Sequence, residues 1–163
     1  MTVDEIVNQV TGHGVTHVTI TGGEPLSQKN CNNLMSRLCD ADHEVSLETS
    51  GAMSVAEVDS RVIKVVDVKT PASGEVEKNI YENFELLDDK DQVKFVICNE
   101  DDYNWCKEII EKHKLGDKCE ILFSPSHEEL EAGVLADWIL RDKLPVRLQI
   151  QLHKYLWGNV PGR

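Results

Sequence analysis

Basic residues are scarce in this chain. Seventeen Lys and Arg stand against 29 Asp and Glu, a formal net charge of −12 over 163 residues. That balance excludes phosphate-backbone binding as the main task, and with it a direct nucleic-acid partner. Long apolar runs are missing as well, since none approaches the ~18–20 residues of a membrane span. The first residues lack the charged, then apolar, then small pattern of a secretory signal. Cysteine pairing is not framed: the five cysteines are an odd number, spread along the chain. Reduced thiols in a cytoplasm are the expectation. Cys31 and Cys39 are eight apart, as are Cys98 and Cys106, and neither gap makes a chelating loop. None of the six histidines forms an i, i+4 helical pair, since His13 and His17 are separated by the glycine that ends the first helix. His153, beside Lys154, is the one retained as a candidate for ligand contact. No Ser-His-Asp set or phosphate loop is present, and neither is an internal repeat or a linker.

What is present centres on Val18-Thr19-Ile20-Thr21-Gly22-Gly23-Glu24-Pro25-Leu26. A β-branched run meets two glycines, an acid and a proline, and reads as a buried strand ending in a turn. Two glycines leave the backbone bare, so a ligand can approach its amides and carbonyls. Pro25 fixes its own φ and holds Glu24 extended. In parallel α/β folds, ligands sit beyond the carboxyl ends of strands.

Residues 2–11 read as a helix opened by a Thr2/Glu5 capping box, with Val3, Ile6, Val7 and Val10 on one face. A strand at 16–21 follows, then a helix begun near Asn30 that carries Cys31, Leu34, Met35 and Leu38. Further strands are expected at 44–48, 62–68, 93–97, 120–123 and 146–151. Helical spacing is read at 54–59, at 76–87, and around Tyr103, Cys106 and Ile110. Ser126 and Glu129 form a second capping-box pattern ahead of Leu130, Val134, Trp138 and Ile139. Trp105 and Trp138 are expected in the core or an interface. Asp88, Asp89 and Asp91 read as a solvated turn. Strands alternating with helices predict one domain over 1–163, either doubly wound or a barrel, whole or partial.

Several strands end in polar residues where such a sheet presents its ligand face: Thr21 with Gly22 and Gly23, Glu48, Asp67 with Lys69, and Ser124. Glu48 fits either a solvated rim acid or an acceptor for a vicinal diol such as ribose. Lys69 fits either a surface lysine or a point charge for a carboxylate.

The Thr-Gly-Gly-Glu-Pro-Leu turn resembles the glycine-glycine-glutamate-proline motif of the radical S-adenosylmethionine superfamily. Five more segments are similar to one family within it, the 7-carboxy-7-deazaguanine synthases. They are Glu44 to Gly51, Val66 to Pro71, Gln92 to Ile97, Leu122 to His127 and Gln149 to Gly158. The resemblance implies a reduced TIM-like α/β barrel of mainly parallel strands, usually a homodimer. It implies reductive cleavage of S-adenosylmethionine at a 4Fe-4S cluster. It also implies a pterin substrate whose ring contracts with loss of ammonia, Mg2+ on the substrate carboxylate, and an electron donor such as flavodoxin.

By position, Thr21 would contact the pterin, and Gly22, Gly23 and Glu24 would form the turn that meets the methionyl group. Glu48 would hold the ribose. Asp67, Val68 and Lys69 occupy a cofactor-contacting segment in which many relatives carry Ser-Pro-Lys. Ser124, Pro125, Ser126 and His127 occupy a later one. The family's Cys-x3-Cys-x2-Cys loop, its Gln-Gly-Glu segment and its magnesium-binding threonine have no counterpart here. The expectation is therefore an N-terminally truncated chain without the first strand and cluster loop. It would have no catalytic or metal-ligating residue of its own and would be inactive alone. Two alternatives remain: a non-catalytic S-adenosylmethionine- or partner-binding remnant, and another radical enzyme such as a glycyl-radical activase.

Overall fold

The computed structural model describes residues 1–127 and 129–158, with backbone alone at His153. The candidate role of the His153 side chain, and the tail from 159 to 163, lie outside the described residues. Among the described residues six strands form one sheet: β1 (His17–Ile20), β2 (Glu44–Thr49), β3 (Ile63–Val68), β4 (Gln92–Ile97), β5 (Glu120–Pro125) and β6 (Arg147–Leu148). Their spatial order is their chain order, and every neighbouring pair is parallel. A doubly wound sheet reverses its direction of growth at a switch point. This one advances one strand at a time, as a barrel does. Among the described residues β1 and β6 do not pair, so the barrel is open. No helix among them is long and apolar enough to cross a membrane.

The convex face carries the core. Val66, Val68, Val93, Phe95, Ile97, Ile121 and Phe123 pack with side chains of α3 (Glu100–His113) and α4 (Ala132–Asp142). Val45 and Leu47 pack with α1 (Val3–Gly12) and α2 (Cys31–Asp40). Burying these aliphatic and aromatic side chains supplies most of the stability, at about 25 cal/mol per Å2 of apolar surface. The α1 capping box is present in both directions: the Glu5 amide donates to the Thr2 hydroxyl, and the Thr2 amide to the Glu5 carboxylate. Trp105 and Trp138 pack against the core. Cys31, Cys106 and Cys119 are buried thiols.

Five expectations need correction. Residues 76–87 do not form one helix but two 3-10 segments, Val76–Lys78 and Tyr81–Leu86. The Asn79 side chain bonds the Lys69 amide and carbonyl, and Asn83 bonds the Val55 amide and Met53 carbonyl. These tertiary bonds outweigh helical spacing. Residues 54–59 are turns. The Ser126/Glu129 pair closes an isolated turn, with the Leu130 amide on the Ser126 carbonyl, and α4 starts only at Ala132. The acidic cluster is not wholly solvated, because Asp91 is fully buried against Lys64 at 2.8 Å. The last strand is also shorter than its apolar run, although the Gln149 amide extends the pairing to the Phe123 carbonyl.

Gly51, just past β2, has φ +71°, and an added Cβ would lie 3.2 Å from Val66 Cγ1. Left-handed backbone and tight packing together make Gly51→Ala destabilising by about 1–3 kcal/mol, measurable by urea denaturation.

Candidate functional site

Parallel register fixes which side chains share a face. The pairings Thr19↔Ser46, Glu48↔Val65, Asp67↔Lys94 and Val96↔Ser124 place all of these on the concave side. A closed barrel fills that side with layers of branched residues. Here it is largely polar. Near the amino-terminal ends of the strands, His17 pairs with Glu44 at 2.9 Å and Arg147 with Glu120 at 2.8 Å. One level up, the Thr19 and Ser46 hydroxyls are 3.0 Å apart. At the carboxyl ends the face opens into a cup.

One cavity of the cup, ≈ 220 Å3, is walled by Thr21, Gly22, Gly23, Glu48, Asp67 and Lys69, with Lys94 on its floor. The strand-end residues singled out in the sequence from β1, β2 and β3 are therefore brought together. A second cavity, ≈ 440 Å3, shares Thr21, Glu48 and Lys94 and continues to Ser124, Gln149 and Gln151. Pro125, Ser126 and His127 line a third, ≈ 520 Å3, with Tyr155. Val68 is 2% exposed and faces the core, so its side chain lines none of these cavities.

Gly22 takes φ +155°, a conformation nearly closed to other residues, and an added Cβ would meet nothing within 4 Å. Its glycine is required by backbone shape and leaves an open approach. The Glu24 carboxylate is engaged by the protein itself, in part by Thr49 and Ser50 of the cavity wall. It accepts from the Leu26 amide at 3.0 Å, the Ser50 amide at 2.8 Å, and the Thr49 and Ser50 hydroxyls. Burial pushes this carboxyl up, but the Ser50, Leu26 and Thr49 donors outweigh it and hold it below the ordinary value. Glu24 is thus the clasp that fixes the glycine turn to the end of β2. Pro25 is buried beneath it.

Asp67 Oδ2 pairs with the Lys69 ammonium at 2.9 Å. Its Oδ1, the Ser124 hydroxyl and Gln149 Oε1 are buried without a hydrogen-bond partner. Buried polar atoms are nearly always bonded, so three orphans around one cup indicate sites for ligand or water. Glu48 is exposed at the rim. A carboxylate there can accept both hydroxyls of a diol. The Cys98 thiol, at the end of β4, is pushed up to about 11 by burial and the neighbouring Glu129, which makes it inert rather than nucleophilic.

Sequence reasoning missed Lys94, Gln149 and Gln151. The signal for Lys94 was available: it alternates with Val93 and Phe95 and shares parity with Gln92, on the face opposite the core. A metal fares less well. Among the described residues no group of three or more His, Cys, Asp or Glu could hold one. The lining of the cup offers hydroxyl, carboxylate, ammonium and carboxamide groups to a ligand.

No protein-family model matches the chain. It is 45% identical over 161 residues to the 7-carboxy-7-deazaguanine synthase of Chlorobaculum tepidum, covering 97% of this chain and 73% of that protein. The Koribacter versatilis protein of the same name is 40% identical over 154 residues, covering 86% and 68%. Among solved structures, QueE from Escherichia coli superposes with a TM-score of 0.73 at 18% identity, over 93% of this chain and 64% of that one. SuiB from Streptococcus suis superposes at 0.56 with 11% identity, over 97% and 45%. The two structures speak to the fold alone. The sequence relationship goes further, and by it this chain belongs to the 7-carboxy-7-deazaguanine synthase family.

Proposed function

We propose that this chain forms the ligand-binding wall of a 7-carboxy-7-deazaguanine synthase. Such an enzyme converts 6-carboxy-5,6,7,8-tetrahydropterin to 7-carboxy-7-deazaguanine and ammonia, on the route to queuosine. The observation that carries the reading is the single cavity joining the glycine turn, Glu48 and the Asp67–Lys69 pair, in a chain 45% identical to a protein of that name. When bound, S-adenosylmethionine supplies the radical chemistry of hydrogen abstraction. The chain's own residues bind and orient. Bare Gly22 and Gly23 amides and carbonyls receive the methionyl end. Glu48 accepts the ribose diol, and the Thr21 hydroxyl meets the pterin. Lys69, held by Asp67, presents a fixed positive charge, and Ser124 offers an uncommitted hydroxyl. The buried aliphatic sheet beneath keeps the spacing rigid.

The family resemblance adds a homodimer, a flavodoxin-like electron donor, a cluster, Mg2+ on the substrate carboxylate and a cytoplasmic setting. No group of metal-ligating side chains among the described residues supports the two metal centres.

Calorimetry with S-adenosylmethionine tests the wall itself. The expected result is saturable heat that Glu48→Ala weakens about 10-fold or more, the loss of a charged acceptor's hydrogen bonds. Absence of heat at high protein concentration would remove the reading. Product analysis tests the chemistry. The portion of the Chlorobaculum tepidum synthase that this chain does not match is joined to it, and the hybrid is incubated anaerobically with the pterin, S-adenosylmethionine and a reductant. 7-Carboxy-7-deazaguanine is expected. A different product would assign another radical reaction.

A further inference from the structure

Lys94 is the unexplained charge in the cup. It sits at the middle of β4, on the concave face, half-buried, beside Asp67 in register. It is common to the ≈ 220 Å3 and ≈ 440 Å3 cavities, together with Thr21 and Glu48. No hydrogen bond or ion pair with any described residue engages its ammonium. The neighbouring carboxylate oxygen, Asp67 Oδ2, is taken by Lys69 at 2.9 Å. Lys64, the other lysine set inside an apolar strand, contrasts with it: Lys64 faces the core and is fully matched by Asp91. A lysine kept in a half-buried cup without an internal partner implies an external one. The second cavity adds two buried polar atoms without partners, the Ser124 hydroxyl and Gln149 Oε1.

We propose that the Lys94 ammonium is the seat for a ligand carboxylate at the junction of the two cavities. The Ser124 hydroxyl is placed to share that group. This rests on the proposed function only for the identity of the ligands. Two carboxylates enter the cup under that reading, the methionyl carboxylate of S-adenosylmethionine and the carboxylate of the pterin. Lys94 would select acids over their neutral counterparts. An ammonium supplies this directly, because an uncharged ligand would leave it unpaired and desolvated.

The test is calorimetry on the 163-residue chain with four probes: S-adenosylmethionine, its decarboxylated form, 6-carboxypterin and unsubstituted pterin. Lys94→Met is expected to weaken one carboxylate-bearing ligand by about 10–100-fold, as the loss of a charge-assisted hydrogen bond implies. Its carboxylate-free counterpart should bind as before. The ligand that responds identifies which carboxylate Lys94 holds. Lys94→Arg, which keeps the charge, should retain most of the affinity, and circular dichroism checks that both variants fold. If Lys94→Met does not fold, Lys94→Gln serves in its place. Unchanged affinity for both acids would overturn the proposal, as would equal losses with and without the carboxylate. If the wild-type chain binds neither family of probes, the proposed function falls first. Binding that ignores Lys94 removes this inference alone.

Discussion

Asp91→Ala is expected to destabilise the chain by about 3–5 kcal/mol, the usual consequence of stranding one member of a buried ion pair. Asp91 is 0% exposed and Lys64 5% exposed, and their charged atoms lie 2.8 Å apart. The carboxylate does more than neutralise. Oδ1 accepts from the Lys64 amide at 2.8 Å, and Oδ2 accepts from the Asp88 amide at 3.0 Å. The backbone carbonyl of Asp91 also receives the Glu120 amide. One residue therefore ties the start of β3 to the turn before β4, with its backbone reaching β5. Removing its side chain leaves an ammonium and two amides unpaired in the interior. Urea denaturation should show a lower midpoint with an unchanged slope. The melting temperature should drop by about 6–20 °C for a chain of this size. Adding Lys64→Met to Asp91→Ala should recover part of the loss, since the stranded charge is then gone while the amides remain unmet.

The second large effect belongs to Glu24. Glu24→Ala removes every acceptor on the clasp between the glycine turn and β2. About 2–3 kcal/mol of stability should go with it, since several charge-assisted bonds are lost but share one group. The binding consequence is separate: the Gly22–Gly23 backbone loses its fixed direction, so affinity for an adenosyl ligand should fall even where the protein stays folded. Glu24→Gln keeps shape and loses charge, and it reveals the pH dependence. The carboxyl of Glu24 is held below its ordinary value of 4.5. A group lowered on folding contributes stability above its unfolded value, and that contribution is lost as pH falls through the native one. The stability gap between wild type and Glu24→Gln should therefore be full near neutrality and shrink as the pH drops below 4.5. A gap that stayed constant down to strong acid would mean that the charge is irrelevant to the clasp.

Both residues show where sequence reading stops. The alternation of strands and helices was legible because β-branched runs are buried on the core side and end in glycine, proline or polar residues. The rim was legible too, since Thr21, Glu48, Asp67 and Ser124 each close such a run. Whether the sheet reverses or keeps winding depends on long-range pairing, which spacing does not encode. Asp91 looked solvated because it lies among Asp88 and Asp89, and nothing local reveals that Lys64 reaches it. The clue was a lone lysine inside Val62 to Val68, on the parity of Val66 and Val68. Lys94 carried the opposite parity and hence the opposite fate. The 76–87 segment misled for a related reason: Asn79 and Asn83 spend their side chains on the backbone of other elements, and the helix breaks into two 3-10 turns. The motif marks Glu24 as a cofactor contact. Its bonds to Leu26, Thr49 and Ser50 give it a further role, as the brace behind the glycines that face the cup, which spacing does not show.

Under the proposed function, the carboxyl ends of β1, β2 and β3 form one ligand site. Titrating S-adenosylmethionine into the isotopically labelled chain, with amide shifts followed by NMR, tests it most directly. Saturable shifts are expected at Gly22, Gly23, Glu48, Asp67 and Lys69, with the outer surfaces of α1 and α3 silent. Shifts confined to the helical side, or none at saturating ligand, would contradict it.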